Sequence, residues 1–366
     1  IAIGRSALRY NTTGNNNSAL GYQALFCNTA SNNTAVGFCA LRSNTTGDKN
    51  TSLGANTLNN NTTGAGNIAV GYNALKYNTT ANNNVAVGKN ALCANISSTD
   101  LTAIGDAALK ANTGAYNSAF GAAALYKNTT GTSNTAVGLR ALQENVGGSN
   151  NTAVGRLALF CNTASNNTAV GFCALRSNTT GASNTAVGFE ALRDNTTGPL
   201  NSAFGFRALS SNTIGDNNVA IGYLAMCLNT TGVNNTAVGS SALRCNTVGI
   251  NNVAVGLYAL RNNSTGGNNV ALGRSALRAN TAGCSNIAIG ISALEIATGS
   301  YNTAIGRLAM CKTTSGARNT ALGVNALYSN ITGCRNTSLG FETLFTNTAG
   351  NNNTAVGLFA LGRNTT

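Results

Sequence analysis

The stretch Asn167-Thr-Ala-Val-Gly-Phe-Cys-Ala-Leu-Arg-Ser-Asn-Thr-Thr-Gly181 decides how this chain is read, because almost every other part of the sequence is a copy of it. If the glycine of each Ala-Val-Gly is taken as a marker, copies begin around Gly4, Gly21 and Gly37 and continue to Gly340 and Gly357, 22 in all. They are spaced by 17 residues, or by 16 in four places. A short fixed period is the signature of a stacked repeat, in which one copy cannot bury its apolar face alone. The repeat therefore predicts a single continuous array over 1–366, and an ordinary domain count does not apply.

Within the copy, Thr168-Ala169-Val170 has the β-branched content of a strand, and Gly171 turns the chain. A second strand is expected from Ala174-Leu175 to about Ser177, and Asn178-Thr179-Thr180-Gly181 turns the chain back. Gly and Asn recur too often for a helix of about ten residues. Each 16-residue copy loses its residue in the turn after Asn-Thr, as in Asn28-Thr-Ala-Ser-Asn-Asn33. Turns tolerate such deletions, whereas strands in register do not. The fold class that follows is all-β: a parallel β-roll or β-solenoid of about 22 coils. At about 4.8 Å per coil it would form a rod roughly 105 Å long.

Stacking turns each position into a column. Asn stands seven residues after the marker in 20 of 22 copies, as Asn11, Asn28, Asn44, Asn178 and Asn195, with Ala297 and Thr313 as exceptions. A second Asn column precedes the first strand and is broken only by Leu101. Stacked amides can bond along the ladder and to their own turns. An exposed Asn/Thr array could instead bind sugar or ice. Two apolar columns flank each side of the marker: Ala then Val, Ile, Leu or Phe before it, and Ala then Leu or Met after it. Because neighbours on a strand face opposite ways, Val170 and Leu175 are expected inside, where volume is needed. The Ala columns are expected outside, as a strip covered by other copies. Where the first Ala is Ser (Ser52, Ser338) the second is Thr (Thr57, Thr343), so these columns touch within or between chains, or one ancestral coil was copied.

The net charge is +13, and basic residues gather five after the marker, at Arg9, Arg42, Lys76, Lys110, Arg176, Arg193, Arg244, Arg261 and Arg278. Such a stripe could face a polyanion, or serve as a solvated edge that blunts strand pairing. The nine acids fall in different columns, with Glu190 and Asp194 placed at separate ends of one coil. There is no His, so neither an imidazole base nor a His-bearing zinc site is available. No cofactor or enzyme activity is expected. Ten cysteines share no column in adjacent coils, and no bridge within the chain is expected. No apolar run approaches the roughly 18–20 residues of a membrane span. The chain opens and stops inside a copy, as a window of a longer array would.

The repeated Asn-Thr-Ala-Val-Gly-x-x-Ala-Leu resembles the head repeats of YadA-like trimeric autotransporter adhesins. It is still more similar to repeat arrays in phage tail fibres, which Ser18-Ala19-Leu20-Gly21-Tyr22-Gln23-Ala24-Leu25 nearly matches. The resemblance implies a left-handed roll, a homotrimer or filament of like chains, and a place outside the cell, on a cell surface or virion appendage. The expected function is an extracellular structural fibre, spacer or adhesin shaft. The alternative is a glycan- or ice-binding module whose partner is a surface glycan or other polyanion.

Overall fold

The computed structural model describes residues 1–365. It contains two compact units, Ile1–Ser183 and a second from Asn184 onward, each with eleven short strands. All are parallel and pair in register with the strands of neighbouring coils, so like residues stack on like. In the first unit Ala19 stands opposite Ala35 and Thr152 opposite Thr168. In the second, Ala203 stands opposite Ala220 and Val253 opposite Val270. The 17-residue coil of a parallel β-solenoid is thus the unit of structure. Equivalent aromatic rings in successive coils give the pitch directly: Phe189–Phe206 and Phe206–Tyr223 stack with centroids 5.2 and 5.4 Å apart.

Each strand ends at its marker glycine for two reasons. Gly222 has a φ of 134°, and a Cβ there would lie 2.6 Å from the carbonyl oxygen of Gly239 in the next coil. No L side chain meets both conditions.

The second expected strand is absent, and the residues that were to form it wind through turns. Gln23 and Leu25 take left-handed φ values of 53° and 50°, with right-handed residues between them, and the same alternation recurs in every coil. The N–H of Ala24 returns to the Gly21 carbonyl (3.4 Å), and that of Asn28 to Leu25 (3.2 Å). The intervening donors of Leu25 and Cys27 reach the next coil at Ala40 and Arg42, both at 3.0 Å. The backbone is therefore satisfied without a ladder of strand type.

This winding overturns the expected division of faces. Ala169 is fully buried, while Val170 is 36% exposed. Ala174 and Leu175, though adjacent, are both buried completely. Alternation of faces belongs to extended backbone; a left-handed residue brings its neighbour's side chain to the same side. The coil is so flat that the Leu fills most of it, and only Ala or Ser stands opposite on the strand. The Ser/Thr pairs confirm the contact inside one coil. Ser338 Oγ donates to Thr343 Oγ1 at 2.7 Å and lies 2.9 Å from the Thr343 carbonyl, and Ser52 meets Thr57 in the same way.

Candidate interaction surfaces

The interior between the strand and the turns is polar but closed. Asn44 donates one amide hydrogen to Asn28 Oδ1 (2.6 Å) and the other to the Gly47 carbonyl (2.8 Å). Asn33, from the second Asn column, donates to that same carbonyl from the coil before (2.9 Å), while its Oδ1 accepts the backbone N–H of Asn50. Two ladders thus converge on one carbonyl, as again at Gly64 and Gly232. Asn28, Asn44, Asn178 and Asn195 are fully buried, whereas Asn11, in the first coil, is half-buried. Asn178 and Asn195 donate to the carbonyls of Gly181 and Gly198.

The 16-residue coils modify the ladder. Asn28 and Asn162 donate to a carbonyl two residues on (Ala30, Ala164) and exchange the bond to the previous coil for one within their own. The buried Oδ1 atoms of Asn11 and Asn145, each just before such a coil, consequently have no partner, and that of Asn280 has none because Ala297 follows it in the column. The buried amides and their backbone partners have the geometry of turn chemistry. Threonines one position further on behave likewise: Thr62 and Thr213 donate Oγ1 to the carbonyls of Thr79 and Thr230 in the next coil. The threonines of the strands do face outward, but Ile68, Val85, Val219, Val253, Val270 and Ile287 interrupt their column.

No family model matches the sequence, and no curated protein is similar enough to count as a relative.

The basic column does not form one stripe. Arg9 lies over the rings of Tyr10 and Phe26 (5.4 and 6.0 Å), and Arg42 covers Phe26 from the other side (6.0 Å). Lys76 sits over Tyr77 (5.0 Å) and Lys110 over Tyr126 (5.3 Å). Arg176 is exposed. Arg193 joins Glu190 (2.9 Å) and Asp194 (2.7 Å), and the hydrogen bond to Asp194 raises its already high pKa further. That contact corrects the expected separation of the two acids: the wound backbone brings residues two, five and six after the marker to one face. Glu144 is similarly held below the usual carboxylate range by its hydrogen bond to Lys127.

Arg244, Arg261 and Arg278 differ from the rest by occupying three consecutive coils. Arg278 pairs with Glu295 at 2.9 Å, and Arg261 rests on Tyr258 at 5.1 Å. The Nε–H groups of Arg244 and Arg261 are shielded and find no acceptor among the described residues.

Of the two outward strand columns, the one immediately before the marker glycine is apolar throughout. Phe204, Ile221, Val255, Leu322 and Leu339 are all exposed on it. The stacked rings of Phe189, Phe206 and Tyr223 lie two residues further along the chain, beyond the marker glycines. A cavity of about 630 Å³ lined by Glu342, Phe345, Thr346, Phe359, Gly362 and Arg363 opens at the last coil. Among the described residues no three His, Cys, Asp or Glu side chains gather as metal ligands, and no helix is long and apolar enough to cross a membrane. Burial raises the thiol pKa of Cys39, Cys93, Cys161, Cys227 and Cys311.

Proposed function

We propose that this chain is a structural fibre subunit, a spacer or adhesin shaft whose outward strand face packs against like chains. The observation carrying this reading is the column immediately before the marker glycine, where every coil presents Val, Ile, Leu or Phe and most of these side chains are exposed. No charged residue enters that column or the strand column beside it. Over ten coil steps the face of one unit measures about 48 by 7 Å, roughly 340 Å², and in the second unit the stacked rings of Phe189, Phe206 and Tyr223 extend it beyond the marker glycines. The largest apolar patch of a typical monomer is about 300–600 Å² and often marks an interaction site; a standard interface covers about 800 Å² per partner, so like chains would also bury the flanking residues. An identical chain has the same pitch and side chains, so it matches this face coil by coil. The covering chain therefore meets Val and Thr, in place of the Ala strip expected from the sequence.

The interior supports the same reading. Its polar groups are consumed by the scaffold, which leaves the Asn columns no free face for sugar or ice, and the interrupted strand threonines offer no regular array. The extracellular location and adhesin role rest on the sequence resemblance. Sedimentation velocity over a concentration series, with electron microscopy, tests the proposal. Assembly that Val238→Glu/Val255→Glu abolishes while retaining the β signal is the expected result. A parent chain that stays monomeric at every concentration, or a variant that assembles unchanged, would overturn it.

A further inference from the structure

We infer that Arg244, Arg261 and Arg278 form a docking strip for a linear acidic polysaccharide lying along the coil stack, one anionic group to each coil. The inference needs only the stacked coils, and it stands whether or not like chains associate.

Three cations in consecutive coils lie about 4.8 Å apart at their backbones, a spacing at which like charges repel. Elsewhere no three basic residues follow one another in the column: Phe26, Asn59, Cys93 and Tyr126 interrupt it, and Arg193 is paired with Glu190 and Asp194. Here the sole acid is Glu295, at the far end, and it reaches Arg278 alone. Cys227 bounds the other end. The flanking columns carry Ser241, Tyr258 and Ser275 on one side and Cys245, Asn262 and Ala279 on the other, with no Asp, Glu, Lys or Arg among them. The strip is thus a positive line between neutral borders. Arg244 and Arg261 are only half-buried, and each carries an Nε–H without an acceptor among the described residues, an unmade hydrogen bond that an anion drawing the guanidinium outward could accept. Tyr258 supports the Arg261 guanidinium from beneath and limits its motion.

The spacing selects the ligand. One sugar residue of an extended glycan is about as long as one coil step, so successive carboxylates or sulfates meet successive guanidiniums. Nucleic acid is disfavoured, because Tyr258 is the only ring beside the triplet and base stacking needs a run of them. Exposed Asn262 offers the amide that sugar hydroxyls use.

Calorimetric titration of the full chain with a galacturonic acid octasaccharide and with a heparin octasaccharide tests this, and it separates carboxylate from sulfate as the anion. Binding of at least one is expected, weakened by salt. Arg261→Gln should weaken it about tenfold or more, and Arg244→Gln/Arg261→Gln should nearly abolish it. Arg176→Gln, in the same column but outside the triplet, should leave it unchanged. An unchanged thermal midpoint in each variant shows that the coils persist. Absence of binding to both oligosaccharides at low salt, equal binding by the double variant, or tighter binding of poly(dT) through the same arginines would overturn the inference.

Discussion

Replacing Asn229 with Ala removes one rung from the middle of a buried ladder. Asn229 donates to Asn212 Oδ1 (2.8 Å) and to the Gly232 carbonyl (3.0 Å), and it accepts from Asn246 Nδ2 (2.8 Å). Gly232 keeps a donor, because Asn218 also reaches it at 2.8 Å. Asn246 keeps its bond to Gly249. Two buried groups are then left unpaired: Asn212 Oδ1 and one N–H of Asn246. At about 1–3 kcal/mol each, the loss is about 2–6 kcal/mol. Stacked repeats need not unfold as one, so the readout is native-state hydrogen exchange of amides between residues 212 and 249. Protection there should fall by the stated free energy, with coils near Gly323 unaffected. Asn229→Asp separates donor loss from cavity formation, since it preserves shape but turns an acceptor toward two acceptors. That environment raises the folded carboxyl pKa, so the variant should approach parental stability below pH ~4 and lose it as pH rises. A change within about 0.5 kcal/mol for Asn229→Ala would refute the reasoning.

Three further outcomes are expected. Leu243 is fully buried at a φ of 49°, so Leu243→Ile, ordinarily a mild core change, should cost about 2 kcal/mol or more by urea melts. Leu243→Met, the residue found at Met226 and Met310, should be nearly neutral; equal costs for the two would contradict the left-handed assignment. Cys227 is buried and its thiol pKa is raised, so iodoacetamide at pH 8 should label it far more slowly than it labels the unfolded chain. The sign of the linkage is that this thiol's contribution is intact below about pH 8.5, the ordinary thiol pKa, and lost as pH rises through the folded value. Ser338→Ala should cost about 1–3 kcal/mol because Thr343 Oγ1 and its carbonyl lose a buried partner, whereas Ser338→Ala/Thr343→Ala, which recreates the common coil, should recover most of it.

Much of the architecture was legible from period alone. The markers, the Asn columns and the invariant Leu or Met position appear in the sequence as they do in the stack, because each rests on one residue type meeting itself. The second strand misled because composition does not report backbone handedness. A signal was present all the same. Residues two after, four after and five before the marker include no Val, Ile or Thr in any full copy, in a chain rich in all three. Those columns take left-handed φ values, which β-branched side chains resist. That also explains why the buried column is Leu or Met and never Ile. The inversion of Ala169 and Val170 followed from the same omission, since a flat coil leaves no room for Val. The charges of Arg193, Glu190 and Asp194 were plain in the sequence, but their meeting depends on the winding and could not be read from column positions.

Electron–electron resonance distances between paired spin labels on the outward column test the stack most directly. With the native cysteines replaced by serine, labels at Val187 and Val255 span four coils, and labels at Val187 and Leu322 span eight, all within the second unit. A rise of about 4.8 Å per coil gives backbone separations of about 19 and about 38 Å. Distances in that one-to-two ratio are expected; a second distance equal to the first, or labels too buried to attach, would contradict the in-register coil and its outward Val column.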